Sequence, residues 1–273
     1  MRRLGVLGWP VSHSRSPAMH NAALAQLGMS DWHYQRLPVP PALFEETTRG
    51  LGRAGFVGAN VTIPHKHAAL ELADEASQAT RAIGAANTLT FAEDGAIQAE
   101  NTDAPGLIAA LGFPPRGMRA LVLGAGGSAR AVVWALLDAG AAEVAVWNRT
   151  PERARQLAEE LGARAVAAPE PADLLVNCTS VGLDVERSAT EDCALNHLGL
   201  TGDQVGTYSY VADLVYRSTP TPLLAAAQAR GAQTIDGLQV LVAQGALSLR
   251  LWTGREPPLE VMRRAALAAP ELG

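Results

Sequence analysis

Charged residues are scarce in this chain, 18% of 273, and the 22 basic and 27 acidic side chains leave a formal net charge of -5. That balance excludes the broad basic surface that nucleic acid or acidic lipid requires. Cysteine is rarer still. Cys178 and Cys193 are too few for a disulfide scaffold and lack a metal-ligand spacing, which makes a cytoplasmic setting the expectation. His13, His65 and His67 form no H-E-x-x-H or related pattern, so no metal is expected. Long apolar runs are also missing, and a transmembrane span of about 18 residues is excluded. The amino terminus has Arg2 and Arg3 before a short apolar run broken by Gly8, Trp9 and Pro10, a poor match to a signal peptide. What the chain does have is 48% apolar residues, enough for one large core or two moderate ones.

Short β-rich runs alternate with Ala/Leu-rich helical stretches. Strands are predicted at 4–9, 33–37, 55–61, 85–91, 119–124, 143–148, 173–178, 210–216 and 232–235. Helices are predicted at 16–27, 68–81, 104–111, 128–139, 151–161 and 222–230, and GLQVLVAQGALSLRLWTG reads as one long helix, with another after Pro257 and Pro258. The alternation predicts an α/β fold built from βαβ units on a largely parallel sheet. The turn-rich GFPPRG, residues 112–117, marks a first estimate of a domain boundary.

The firmest local signal is ALVLGAGGSARAVVWALLDAG, residues 120–140. An apolar strand runs into Gly124, Gly126 and Ala129, spaced G-x-G-x-x-A, and an apolar-striped helix follows. The glycines permit a tight turn and close approach of a pyrophosphate, and the helix start offers unpaired N–H groups to it. The next strand ends in Asn148, Arg149 and Thr150, with Arg153 close behind, where an NAD site would present Asp or Glu. Arginines there suit a ribose 2'-phosphate, so NADP is the expected cofactor. The plainer reading of NRTPER, with Thr150 capping a helix and Pro151 in its first position, is compatible with the same use.

Four segments offer polar groups where strands end or helices begin: SHSRSP (12–17), NVTIPHK (60–66), AANTLT (85–90) and ENTDAPG (100–106). Their hydroxyls, amides, amine and carboxylate suit a small polyhydroxylated acid or ketone. Hydride transfer to a carbonyl creates an alkoxide that needs a proton, and Lys66 is the best candidate donor, with Asp103 to orient it.

With SHSRSP, NVTIPHK, AANTL, NTD, GAGGSARA, NRT, NCTSVG, DLVY, TPLL and the late DG...VLVAQ in order, the chain resembles the NADP-dependent shikimate dehydrogenase family over essentially its whole length. The resemblance implies two domains. A substrate domain of 1–102 plus 237–273 would be completed by the carboxyl-terminal helices, and 103–236 would form a Rossmann-like NADP domain, which moves the boundary upstream to Asp103. It implies reversible reduction of 3-dehydroshikimate to shikimate, with Lys66 and Asp103 as the catalytic pair. Ser14 and Ser16 would hold the substrate carboxylate, and Thr62, Asn87, Asp103, Tyr216 and Gln244 would make further substrate contacts. Gly126, Gly127, Ser128 and Ala129 would take the cofactor phosphates, Asn148, Arg149, Thr150 and Arg153 the adenosine phosphate, and Thr179, Gly182 and Gly237 would line its path.

Each of these residues also has an ordinary reading. The serines suit a loop or helix cap, Lys66 a solvated helix start, Asp103 a cap, Thr62 and Asn87 a strand edge and a turn. Gln244 and Tyr216 suit core positions, and Thr179, Gly182 and Gly237 suit turns and close packing. Trp9, Glu100 and Val240 depart from the residues the family usually carries and bear on substrate breadth more than on reaction type. The alternatives are a broader quinate/shikimate dehydrogenase, a folate-type two-domain dehydrogenase, and a noncatalytic NADP-binding sensor. Oligomeric state, a homodimer included, stays open.

Overall fold

The computed structural model describes residues 1–183 and 190–270. The chain divides into two compact units, Met1–Gly106 together with the segment from Leu241 onward, and Leu107–Val240. Both divisions fall inside helices, Asp103–Leu111 and Gly237–Thr253.

The first unit holds strands β1 (Arg2–Gly8), β2 (Trp32–Pro38), β3 (Phe56–Val61), β4 (Glu75–Ala76), β5 (Thr88–Phe91) and β6 (Ile97–Glu100), ordered β2-β1-β3-β5-β6-β4. β1 pairs in parallel with β2 and β3, but β5 runs antiparallel to both β3 and β6. β4 pairs in parallel with β6, so the sheet is mainly parallel as expected, with β5 the antiparallel exception. The physical reason is the short link from β5 to β6, too short for a crossover. It turns at Gly95 (φ 93°), and Asp94 Oδ1 accepts from the Ala96 N–H at 3.0 Å.

The helix expected over 68–81 is two helices, Lys66–Glu71 and Gln78–Ile83, with β4 between them. Ser77 starts the second by accepting from the Thr80 N–H, and Gly84 ends it in the left-handed conformation. An unexpected helix, Phe44–Leu51, packs Phe44 and Leu51 with Leu7, Val61, Ala59 and Leu89 of the sheet. Burying a phenylalanine of this kind stabilises the fold by about 1.5–3 kcal/mol. The other side is sealed by the last long helix. Trp252 donates its indole N–H to the Leu89 carbonyl at 3.0 Å, and a Cβ on Gly58 would lie 2.1 Å from that indole nitrogen, so only glycine fits beneath it.

The second unit is wholly parallel: β7 (Arg119–Leu123), β8 (Glu143–Trp147), β9 (Arg164–Ala165), β10 (Leu174–Asn177), β11 (Tyr210–Asp213) and β12 (Gln233–Ile235), ordered β12-β11-β10-β7-β8-β9. Alternate residues of β7 serve opposite cores, Ala120 and Val122 on one face, Leu121 and Leu123 on the other. That two-sided burial is why its sequence is a continuous apolar run. The chain moves outward in one direction from β7 to β8 and in the other from β10 to β11, which makes the β7/β10 junction the topological switch point. Helices Glu191–His197 and Gly202–Val205, absent from the sequence reading, start at Thr190 and Thr201, each of which caps with its hydroxyl. Among the described residues no helix is long and apolar enough to cross a membrane, and no three His, Cys, Asp or Glu side chains cluster as metal ligands.

Candidate active site

Strand direction gathers four of the polar segments at one edge of the first sheet. β1 and β3 are parallel, so the Ser14 loop that follows β1 and the Thr62–Lys66 turn that follows β3 leave the same edge. β5 is antiparallel to β3, which puts Asn87, just before β5, at that edge too. β6 reverses again and delivers Asp103 there as the first residue of its helix.

Lys66 Nζ donates to Asp103 Oδ2 at 2.5 Å, and both side chains are largely covered. Asp103 sits where the helix dipole favours a carboxylate. It does not cap that helix. Asn101 does, with Oδ1 accepting from the Ala104 N–H at 3.1 Å. The other Asp103 oxygen, Oδ1, accepts from Asn87 Nδ2 at 2.7 Å, and the same Nδ2 lies 3.2 Å from Gln244 Oε1. Gln244 reaches this place because Gly106 allows its helix in: a Cβ on Gly106 would meet the Gln244 backbone at 2.9 Å.

Ser14 and Ser16 are buried, and the Ser16 N–H donates to Ser14 Oγ at 3.3 Å, with Ser16 opening the helix Ser16–Gln26. The sequence reading missed what holds this loop. Arg36 grips the Ser14 carbonyl with Nη2 at 2.7 Å and Nε at 3.2 Å. Thr62 is half-buried against Gly8, where a Cβ would approach its methyl to 2.5 Å, and its carbonyl accepts from the His65 N–H. His65 belongs to the scaffold, stacked on Phe44 and hydrogen-bonded to the Val39 carbonyl, with burial lowering its pKa against the effect of that bond.

The second unit presents a different set. Gly124 turns the chain out of β7 at φ 107°, a conformation that favours glycine. Gly126 starts the helix Gly127–Asp138 as its N-cap with no side chain to cap it, and a Cβ built on Gly126 meets nothing within 4 Å. Open space over a bare backbone, a half-buried Ser128 behind it and a fully buried Ala129 fit the approach of a diphosphate. Beyond β8, Arg149, Thr150 and Arg153 are exposed, and Asn148 Nδ2 donates to the Thr150 carbonyl at 2.9 Å. Thr150 occupies the N-cap position but its side chain makes no capping bond, which corrects the plainer reading of that hydroxyl. These residues fit a 2'-phosphorylated dinucleotide, two cations and a hydroxyl with no carboxylate among 148–151.

Thr179 lies across the switch point, after β10. Its N–H and its hydroxyl both donate to Asn177 Oδ1, at 3.0 and 2.8 Å, and the Val181 N–H donates back to the hydroxyl. Asn177 in turn donates to Asp213, which also accepts from the Thr221 hydroxyl at 2.6 Å and the Val215 N–H at 3.1 Å. Burial pushes the Asp213 carboxyl up to about 6 against those three bonds. Gly182 is buried at φ 101°, and a Cβ on Gly237 would meet the Leu214 carbonyl at 2.5 Å, so both glycines have a local steric reason. Tyr216 is half-buried three residues beyond β11.

Known proteins match this chain in sequence and fold along most of its length. Residues 6–89 match the model of the shikimate dehydrogenase substrate binding domain, 110–181 that of shikimate / quinate 5-dehydrogenase, and 237–267 that of the shikimate 5'-dehydrogenase C-terminal domain. The shikimate dehydrogenase (NADP(+)) of Methanopyrus kandleri is 44% identical, covering 97% of this chain and 94% of its own, and that of Paracoccus denitrificans is 43% identical over 97% and 95%. The crystal structure of Thermus thermophilus shikimate 5-dehydrogenase in complex with NADP(H) and shikimate superposes with a TM-score of 0.85 at 44% identity, covering 97% of this chain and 98% of that one. Similarity of this depth along both units means that the chain belongs to the shikimate dehydrogenase family.

Proposed function

We propose that this protein is an NADP-dependent shikimate dehydrogenase, catalysing the reversible reduction of 3-dehydroshikimate to shikimate in the cytoplasm. The observation that carries the reading is the Lys66–Asp103 ion pair, held at 2.5 Å and braced by Asn87 at a sheet edge that also bears Ser14 and Thr62. Reduction of a ring ketone takes a hydride, which is the chemistry a reduced nicotinamide supplies when bound. It also takes a proton, and Lys66 Nζ is the donor in this reading. Asp103 keeps the ammonium aimed at the substrate oxygen. Ser14 and Ser16 bind the substrate carboxylate with their hydroxyls, and the Arg36 cation behind the Ser14 carbonyl adds a favourable charge. Thr62, Asn87, Gln244 and Tyr216 take the ring hydroxyls.

Substrate belongs to 1–102 plus 237–273, of which 271–273 lie outside the described residues, and NADP to 103–236. Gly126, Gly127, Ser128 and Ala129 bind its phosphates, while Asn148, Arg149, Thr150 and Arg153 select the 2'-phosphate. Thr179, Gly182 and Gly237 shape the backbone along its path. The test is the initial rate of oxidation of shikimate and of quinate, each with NADP and NAD. A dominant shikimate/NADP rate is expected; quinate turnover of equal size would give the protein the broader specificity, and no turnover by folded, NADP-binding protein would make it a sensor.

A further inference from the structure

Behind Asn87 the first unit buries a set of polar side chains that reach the polar edge of the sheet through Asn87, and they meet at Ser248. Its hydroxyl oxygen lies 2.9 Å from Asn60 Nδ2, 2.9 Å from Thr88 Oγ1 and 3.1 Å from Thr102 Oγ1, and it donates to the Gln244 carbonyl at 3.1 Å. Ser248 is fully buried, and Asn60, Thr88 and Thr102 nearly so, which leaves water little part in the accounting.

The directions of these bonds follow from partners that have no choice. The Thr102 backbone N–H can only donate, and it points at Asn87 Oδ1 at 2.7 Å. Asn87 must therefore turn Nδ2 toward the Asp103 carboxylate, which can only accept. The Asn87 carbonyl can only accept, and Asn60 Nδ2 lies 3.2 Å from it, so Asn60 Oδ1 faces the Tyr34 hydroxyl, which donates at 2.8 Å. With Asn60 donating to Ser248 and Ser248 passing its own proton to Gln244, one Ser248 lone pair remains for a threonine hydroxyl, and the other threonine hydroxyl has Asn87 Oδ1, 3.2 Å from each, as its acceptor. Thr102 Oγ1 then has its lone pairs for Asn87 Nδ2, 3.0 Å away. Ser248 thus shares, with Asn87 Oδ1, the setting of the hydroxyls around the amide that holds Asp103.

We propose that Ser248 is a positioning residue for proton transfer, acting through Thr88, Thr102 and Asn87 on Asp103 and so on Lys66. The proposal rests on the dehydrogenase reading above. Alanine at 248 leaves Asn60 Nδ2 with the Asn87 carbonyl and Thr88 Oγ1 as its acceptors and turns the threonine hydroxyls toward Asn87 Oδ1, so that Asn87 shares its N–H bonds differently between Thr102 and Asp103. The ammonium loses its fixed aim, while the phosphate loop of the other unit is untouched.

The experiment compares kcat and KM for the wild type, Ser248→Ala, Asn87→Ala and the double variant, with shikimate and NADP at 25 °C. Ser248→Ala is expected to lower kcat about tenfold with KM for NADP unchanged, and to cause no further loss of kcat in the Asn87→Ala background. If the two losses multiply, or if Ser248→Ala lowers thermal stability and leaves kcat within about twofold of wild type, the serine is core packing and the proposal fails. Thr88→Val and Thr88→Ser decide the matter should alanine at 248 prevent folding: valine must lower kcat and serine must keep it, and equal kcat in both overturns the network. A wild-type protein that binds NADP but oxidises no shikimate would instead overturn the dehydrogenase reading itself, an outcome visible before any variant is compared.

Discussion

His20 should make this protein acid-sensitive through its fold. The imidazole is fully buried, stacked on Tyr34 with ring centroids 4.3 Å apart and tilted against Trp252 at 5.8 Å, and neither ring nitrogen has a hydrogen-bond partner among the described residues. Burial with no compensating bond lowers its pKa from 6.5 to about 3. The folded state therefore binds fewer protons than the unfolded state between those two values, and stability must rise with pH across that window. Above the unfolded value the contribution is complete; on acidification it is lost at about 1.4 kcal/mol per pH unit until the folded value is reached. Between about pH 7.5 and about pH 5 the loss assigned to this one ring is about 2 kcal/mol. Urea unfolding at both pH values, for wild type and His20→Leu, isolates it. Leucine removes the stacking, so the variant should be less stable near neutrality, but its stability should fall by about 2 kcal/mol less than that of the wild type on going to pH 5. Parallel losses in both proteins would mean that the ring finds a proton acceptor when it charges, and the reasoning from its isolation would be refuted.

Three further outcomes follow from the same structure. Lys66→Ala should lower kcat by about 10²–10⁴-fold while NADP affinity, measured by fluorescence titration, stays within about twofold; equal losses of both would remove the lysine from proton transfer. Arg149→Ala should raise KM for NADP by about ten- to a hundredfold and leave KM for NAD alone, and similar changes for both cofactors would count against 2'-phosphate recognition. Asp213, raised from 3.8 to about 6 by burial, has the opposite pH signature to His20: its contribution is complete below the unfolded value and is lost as pH rises through about 6. Asp213→Asn should gain up to about 3 kcal/mol relative to wild type between about pH 4 and pH 7 in chemical denaturation, and a flat difference would show that the three donors around the carboxylate cancel its burial.

The parallel second unit was legible because local chemistry and tertiary environment agree there. A two-sided core demands an uninterrupted apolar strand, and the turn into the helix demands glycine at 124, so RALVLGAG carries its structure on its face. The first unit was harder. The strand IQAE is short and half polar, and the helix FEETTRGL buries only Phe44, Thr48 and Leu51, so neither gives a strong period. Lys66, Asp103 and Asn87 stood out as polar groups at the ends of apolar segments. Arg36 gave no such signal, because its partner is a backbone carbonyl that any residue could offer. Ser248 follows Gln244 by one helical turn and so shares its face, but the residues that give it meaning lie 146, 160 and 188 positions away. Chemistry of that kind is visible only once topology has closed the distance.

The close fit of Gly58 beneath Trp252 also orders events in time. The first sheet is made early in synthesis, yet the helix that covers it and ties down Leu89 comes from beyond Val240. A ribosome adding about 5–20 residues per second needs on the order of ten seconds to make the continuous unit in between. Throughout that interval the nascent chain carries a half-covered sheet, and at its end Leu107–Val240 has every strand it needs to fold. The middle of the chain is therefore placed to fold first, and the amino-terminal sheet, the older piece of chain, is completed only as the helix that carries Trp252 leaves the exit tunnel.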